Sequence, residues 1–138
     1  MAWVFDASVT MAWCFQDERT PECDALLQRL VAEAGTVPQL WHLEVANILL
    51  QSMRQKKPRI TPEGVSTFIE LLKDIPIRTD SQTFANAWTL TFNLAKKHGL
   101  SEYDASYLEL ALRLQCELAT LDRDLQTAAR AEGLTVLP

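Results

Sequence analysis

The 138-residue chain carries 13 Lys and Arg against 18 Asp and Glu, for a formal net charge of −5, with 48% hydrophobic and 22% charged residues. These are the proportions of an ordinary globular protein, and a chain of this length buries about two thirds of its unfolded surface in one core, so a single domain over 1–138 is expected. No run approaches the roughly 18 apolar residues of a membrane span, and an acidic total does not advertise a nucleic-acid binder, because phosphate contacts need Lys and Arg.

Met1 to Ser8 opens with the apolar run Ala2, Trp3, Val4, Phe5, which stops abruptly at Asp6. A short, continuously apolar run reads as a strand buried on both faces, as in parallel sheets covered by helices. Asp6 would then stand at the strand's exit, where open α/β sheets bind ligands, although Asp6 or Ser8 would also suit the cap of a following helix. Val9 to Phe15 reads as a short helix. Thr20 with Pro21 is an N-cap followed by proline at the first helical position, and Leu26, Leu27, Leu30, Val31 and Ala34 recur at helical spacing up to Gly35.

Thr36 and Val37 make a brief strand. Leu40 to Met53 is a dense apolar helix interrupted on one face by Glu44, Asn47 and Gln51. Thr61 with Pro62 starts another helix, with Val65, Phe68, Ile69 and Leu72 on its apolar face. Ile75 to Arg78 is a strand that Pro76 assigns to a sheet edge. Asp80 or Ser81 then caps one long helix whose stripe Phe84, Ala87, Trp88, Thr91, Leu94 and Ala95 runs to Gly99, with its aromatics expected in the core. Ser101 to Asp104 opens the next helix, which runs to Gln115. Glu117 to Leu121 is a strand ending at Asp122, and a short helix through Ala128 and Ala129 leads past Gly133 to a last strand, Leu134 to Leu137. Strands alternating with helices imply right-handed crossovers and a three-layer α/β/α sandwich around a central parallel sheet.

Cys14, Cys23 and Cys116 form no CxxC pair and fall in apolar helical patterns, so they read as reduced core thiols. His42 and His98 lie far apart with no partner at metal-ligand spacing, which argues against zinc. Met1 to Phe5 has no basic leader and is too short for a signal peptide, so a cytoplasmic location is expected.

Asp6 and Asp122 both stand where an apolar strand gives way to a helix, so a parallel sheet brings them to one edge. Asp104 lies in the first turn of its helix and Glu44 within two turns of the start of its own, so all four acids reach the same crevice. Each also has a local reading: Asp104 as half of a capping box with Ser101, Asp122 as an N-cap, Glu44 as a partner for Lys or Arg. Carboxylates gathered together repel unless a cation lies among them, and oxygen-only ligation suits Mg²⁺, with Mn²⁺ the other candidate. Such an ion activates water for attack on a phosphodiester. Ser8 and Thr120 are placed to hydrogen-bond a carboxylate or a metal-bound water. The basic stretches Arg54 to Arg59 and Lys96 to His98 are candidate RNA contacts, or solvated helix ends.

The segments V-F-D-A-S at Val4 to Ser8, L-E-V-A-N at Leu43 to Asn47, G-L-S-E-Y-D-A at Gly99 to Ala105 and A-T-L-D-R-D-L at Ala119 to Leu125 together resemble the PIN-domain ribonucleases, specifically the VapC-type toxins of toxin-antitoxin pairs. The resemblance implies that Asp6, Glu44, Asp104 and Asp122 are the catalytic and metal-binding acids, with Asp124 a neighbour. It also implies a homodimer, an endoribonuclease acting on RNA, and inhibition by a small antitoxin whose tail covers the site. A nuclease of the same fold without an antitoxin, or a non-catalytic metal-binding module, are the alternatives. A phosphoryl-transfer hydrolase with Asp6 as nucleophile would want a second acid at position 8, which is Ser8. A receiver domain would need adjacent acids after the first strand, where the chain has Ala7.

Overall fold

The computed structural model describes residues 2–138; Met1, which opens the first apolar stretch, lies outside the described residues. The elements run β1 (Trp3–Phe5), α1 (Ala7–Cys14), a 3-10 turn (Gln16–Glu18), α2 (Pro21–Ala32), β2 (Gly35–Pro38), α3 (Leu40–Arg54), α4 (Pro62–Asp74) and β3 (Ile77–Asp80). They continue with α5 (Thr83–Asn86), α6 (Leu90–His98), α7 (Glu102–Leu114), β4 (Glu117–Ala119), α8 (Arg123–Ala131) and β5 (Val136–Leu137).

The five strands form one parallel sheet in the order β3-β2-β1-β4-β5. The chain winds outward from β1 to β3 and then crosses back to β4 and β5. Right-handed crossovers therefore put α1 to α4 on one face and α5 to α8 on the other, giving the expected α/β sandwich. In agreement, α1 packs on α2 and α3, and α7 packs on α6 and α8. The winding direction reverses between β1 and β4, and the crevice beyond their C-terminal ends is where such sheets bind ligands.

Helix starts follow the side chains. Thr20 accepts a hydrogen bond from Cys23 N–H ahead of Pro21, and Thr61 accepts one from Gly64 N–H ahead of Pro62. Ser101 caps α7 through Asp104 N–H, and Gly99 closes α6 at φ 65°, a left-handed conformation that suits glycine.

The core is aromatic beneath β1. Phe5 lies against Trp3, Trp13 and Trp41, with ring centroids 5.4, 5.3 and 5.7 Å away. Each indole N–H finds an acceptor: Glu33 O for Trp3, Cys23 O for Trp13 and Thr10 Oγ1 for Trp41. Gly35 is required beside this cluster, since a Cβ there would come within 2.7 Å of the Phe5 ring.

Several expectations are corrected. The single long helix toward Gly99 is two helices, α5 and α6, separated by a turn over residues 87–89. The apolar periodicity continues through this break, but Asn86 Nδ2 donates to Gln82 O and Thr89 Oγ1 to Asn86 O, side-chain bonds that compete with the helix ladder. Its aromatics are not core residues: Phe84 is 72% exposed and Trp88 92%. Val31, expected on the apolar face of α2, is also exposed. Neither Asp80 nor Ser81 is the cap of α5, which begins after Gln82; Asp80 instead ends β3 and accepts from Gln82 N–H. The edge strand expected at Ile75 to Arg78 lies two residues later and does sit at the sheet edge, while the strands after Glu117 and Leu134 are shorter than read. The three cysteines are free, with Cys23 buried and Cys14 and Cys116 half-buried.

Candidate active site

The register pairs Phe5 with Ala119, so the residues that follow each strand, Asp6 and Thr120, emerge side by side at the β1/β4 reversal. Asp6 N–H donates to Ala119 O at 3.1 Å, which continues the ladder one step beyond the strand. The Asp6 carboxylate is buried, 5% exposed, and held at both oxygens. Oδ1 accepts from Ser8 Oγ at 2.6 Å and Val9 N–H at 3.1 Å, and Oδ2 accepts from Thr120 Oγ1 at 2.5 Å. Asp6 is thus both the helix cap and the innermost acid, because one carboxylate has enough lone pairs for both. Ser8 Oγ in turn accepts from Leu121 N–H and Thr120 Oγ1 from Asp122 N–H, so two hydroxyls tie the ends of β1 and β4 together.

The other acids arrive on helix starts. Glu44 is half-buried on α3, Asp104 half-buried in the first turn of α7, and Asp122 caps α8 through Leu125 N–H at 3.0 Å; Asp124 is exposed. Burial and then the neighbouring Asp104 charge push the Asp6 carboxyl up to about 6, against the opposing bonds from Ser8, Thr120 and Val9. Glu44 is raised by burial first and then by Asp104 and Asp6, against the bond from Tyr107. Asp104 is raised by burial, then by Asp122 and Asp124. The acids named from the sequence therefore stand close enough to repel one another, with Asp104 at the hub. Among the described residues none of these five forms an ion pair with Lys, Arg or His.

Among the described residues, no three Asp, Glu, His or Cys side chains are already closed around a point where a metal ion could sit. The donors nevertheless match a hard divalent cation: all are carboxylate oxygens, they repel one another, and no cationic side chain pairs with them. Asp6, Glu44, Asp104 and Asp122 would hold such an ion, and Ser8 and Thr120 would orient Asp6.

Tyr107 escaped notice in the sequence. Its hydroxyl donates to Glu44 Oε1 at 2.5 Å from one turn beyond Asp104. The i, i+3 spacing from Asp104 was the available signal. The candidate RNA-contacting cations are partly engaged elsewhere. Arg59 pairs with Asp17 and Glu18, while Lys97 and His98 both contact Glu132; Arg54, Lys56, Lys57 and Lys96 are exposed. Among the described residues no helix is long and apolar enough to cross a membrane.

Residues 3–131 match the PIN domain. Ribonuclease VapC3 of Pyrobaculum aerophilum is 32% identical over 125 residues, covering 91% of this chain and 92% of the relative. Among solved structures, PAE2754 from Pyrobaculum aerophilum superposes with a TM-score of 0.67 at 18% identity, covering 99% of this chain and 89% of the other. VapBC2 from Rickettsia felis, bound to a DNA fragment from their promoter, superposes with a TM-score of 0.64 at 14% identity, covering 99% and 97%. FitAcB from Neisseria gonorrhoeae gives 0.59 at 18% identity, covering 100% and 97%. With the sheet order, the acids at its β1/β4 reversal and this match over nearly the whole length, the chain belongs to the PIN-domain family, in its VapC group.

Proposed function

We propose that this protein is a metal-dependent endoribonuclease of the VapC type that hydrolyses RNA phosphodiester bonds and is held in check by a cognate antitoxin. The observation that carries the reading is the buried Asp6 carboxylate at the sheet reversal, held at both oxygens by Ser8 and Thr120, with Glu44 tied to Tyr107 one turn beyond Asp104 and none of these acids in an ion pair with Lys or Arg among the described residues. Its closeness to Ribonuclease VapC3 supports RNA as the substrate.

Mg²⁺, or Mn²⁺ in its place, would be held by Asp6, Glu44, Asp104 and Asp122; when bound, such an ion lowers the pKa of an attacking water and offsets charge developing on the phosphate. The chain's own part is to hold the carboxylates ready. Ser8 and Thr120 fix Asp6 from both sides, Ser101 holds the Asp104 amide, Leu125 N–H holds Asp122 Oδ1, and the acids exclude competing anions from the crevice until a cation enters.

The similarity to VapBC2 and FitAcB, each named as a pair of components, supports a second small protein as partner. A homodimer is proposed through the segment 84–92, where Phe84, Trp88, Leu90 and Phe92 are all exposed.

The test is cleavage of a mixed RNA substrate by the purified protein, with Mg²⁺ or Mn²⁺ and then with chelator. Metal-dependent cleavage that chelator abolishes, and that Asp6→Asn lacks, is expected. Cleavage by Asp6→Asn at the parental rate, or cleavage indifferent to chelator, would overturn the reading.

A further inference from the structure

Among the buried aromatic side chains with a polar donor, Tyr107 differs from Trp3, Trp13 and Trp41 in donating to a carboxylate. Trp3 and Trp13 satisfy their N–H groups with backbone carbonyls, the ordinary solution for a buried aromatic. Tyr107, 1% exposed, instead donates to Glu44 Oε1, joining α7 to α3 across 63 positions of the chain. Asp104 lies three residues before it on the same helix face, so α7 presents an acid and a phenol to the same crevice.

The phenol is a fixed donor. Its oxygen is buried and faces a carboxylate oxygen, which accepts and cannot donate, so the phenol is the donor of this bond. Glu44 has a long, rotatable side chain, forms no ion pair among the described residues, and is repelled by Asp104 and Asp6. Without an anchor its carboxylate would swing away from the other acids. With Oε1 tied to Tyr107, Oε2 remains the oxygen available to a ligand.

We propose that Tyr107 is a positioning residue for divalent-metal binding: its hydroxyl, by holding Glu44 Oε1, keeps that carboxylate among the other acids with Oε2 free to ligate. The inference rests on the metal-dependent reading above and adds to it a residue that touches neither metal nor RNA.

Tyr107→Phe removes only the hydroxyl. Calorimetric titration of Mn²⁺ into the metal-free protein is expected to show Kd weakened about 10- to 100-fold, the usual effect of removing a group that orients a metal ligand. The parent, Glu44→Gln and the double variant complete the comparison. Because Tyr107 acts through Glu44, the double variant should bind no more weakly than Glu44→Gln alone. A Tyr107→Phe protein that melts earlier but binds Mn²⁺ like the parent would reduce Tyr107 to a packing role and overturn the proposal while leaving the nuclease reading intact. A parent that binds neither Mn²⁺ nor Mg²⁺ would overturn both.

Should Tyr107→Phe fail to fold, a second measurement decides. The chain has two tyrosines, and the other, Tyr103, is exposed. In a Tyr103→Phe background, 3-fluorotyrosine therefore reports on position 107 alone. Mg²⁺ binding seen by calorimetry should shift its fluorine resonance in step with site occupancy; an unmoved resonance at full occupancy would overturn the proposal.

Discussion

Thr120 Oγ1 and Asp6 Oδ2 lie 2.5 Å apart, joining residues 114 positions distant in the chain at the place where the sheet reverses its winding. The same hydroxyl accepts Asp122 N–H, so one threonine serves two of the acids. Thr120→Val keeps the side chain's shape and leaves both a buried carboxylate oxygen and an amide without that partner. A loss of about 1–3 kcal/mol is expected in urea unfolding, together with reduced RNA cleavage. A variant as stable as the parent would show that the hydroxyl is dispensable.

Divalent metal should stabilise the folded chain. A ligand that binds only the native state adds RT ln(1 + [L]/Kd), about 2.7 kcal/mol at a hundredfold excess over Kd. A melting temperature several degrees higher in Mg²⁺ or Mn²⁺ is therefore expected, with little response once Asp6 and Asp104 are both Ala. An undiminished response in that double variant would place the ion elsewhere.

Arg113 forks onto Asp80, with its two terminal nitrogens at 2.9 and 2.8 Å, and also reaches Glu109, tying the edge strand β3 to α7. The Arg113 hydrogen bonds hold the Asp80 carboxyl below its ordinary value of 3.8. A carboxyl lowered by folding contributes stability that is complete above its unfolded value and is lost as pH falls below that value toward the folded one. Asp80→Asn should thus lower stability by about 2 kcal/mol at pH 7, and the difference from the parent should shrink as denaturation is followed below about pH 4. A gap independent of pH would show that the charge is not what stabilises the contact.

Trp88 is 92% exposed, so removing it takes nothing from the core. Trp88→Glu should change monomer stability by no more than about 0.5 kcal/mol. It should also convert a dimeric parent to monomer in sedimentation equilibrium. Persistence of the dimer would move the proposed interface away from segment 84–92.

The end of β1 was legible because an apolar run that stops at an acid marks both a boundary and a side chain leaving the sheet; β4 stops at Ala119, so Asp122 marks the start of α8 and not the end of its strand. The helix caps at Thr20, Thr61 and Ser101 were legible because their chemistry is local. What escaped was decided by partners distant in sequence or by competing local bonds. Periodicity from Phe84 to Ala95 satisfies a helix whether or not Asn86 and Thr89 interrupt it, and it does not say that the aromatic side faces water. Asp80 looked like a cap because Arg113, 33 positions away, is invisible to a local reading. Tyr107 was hidden for the same reason: its acceptor lies on another helix.

The bond between Asp6 and Thr120 has a consequence for biosynthesis. Its two halves leave the ribosome more than a hundred residues apart, and Asp104 and Asp122 also emerge late. A nascent chain still missing β4 holds Asp6 and Glu44 without the partners that complete the crevice. A protein proposed to cut RNA is thus unarmed for most of its own translation, beside the machinery most exposed to it, and acquires its cutting edge only once its C-terminal third has emerged.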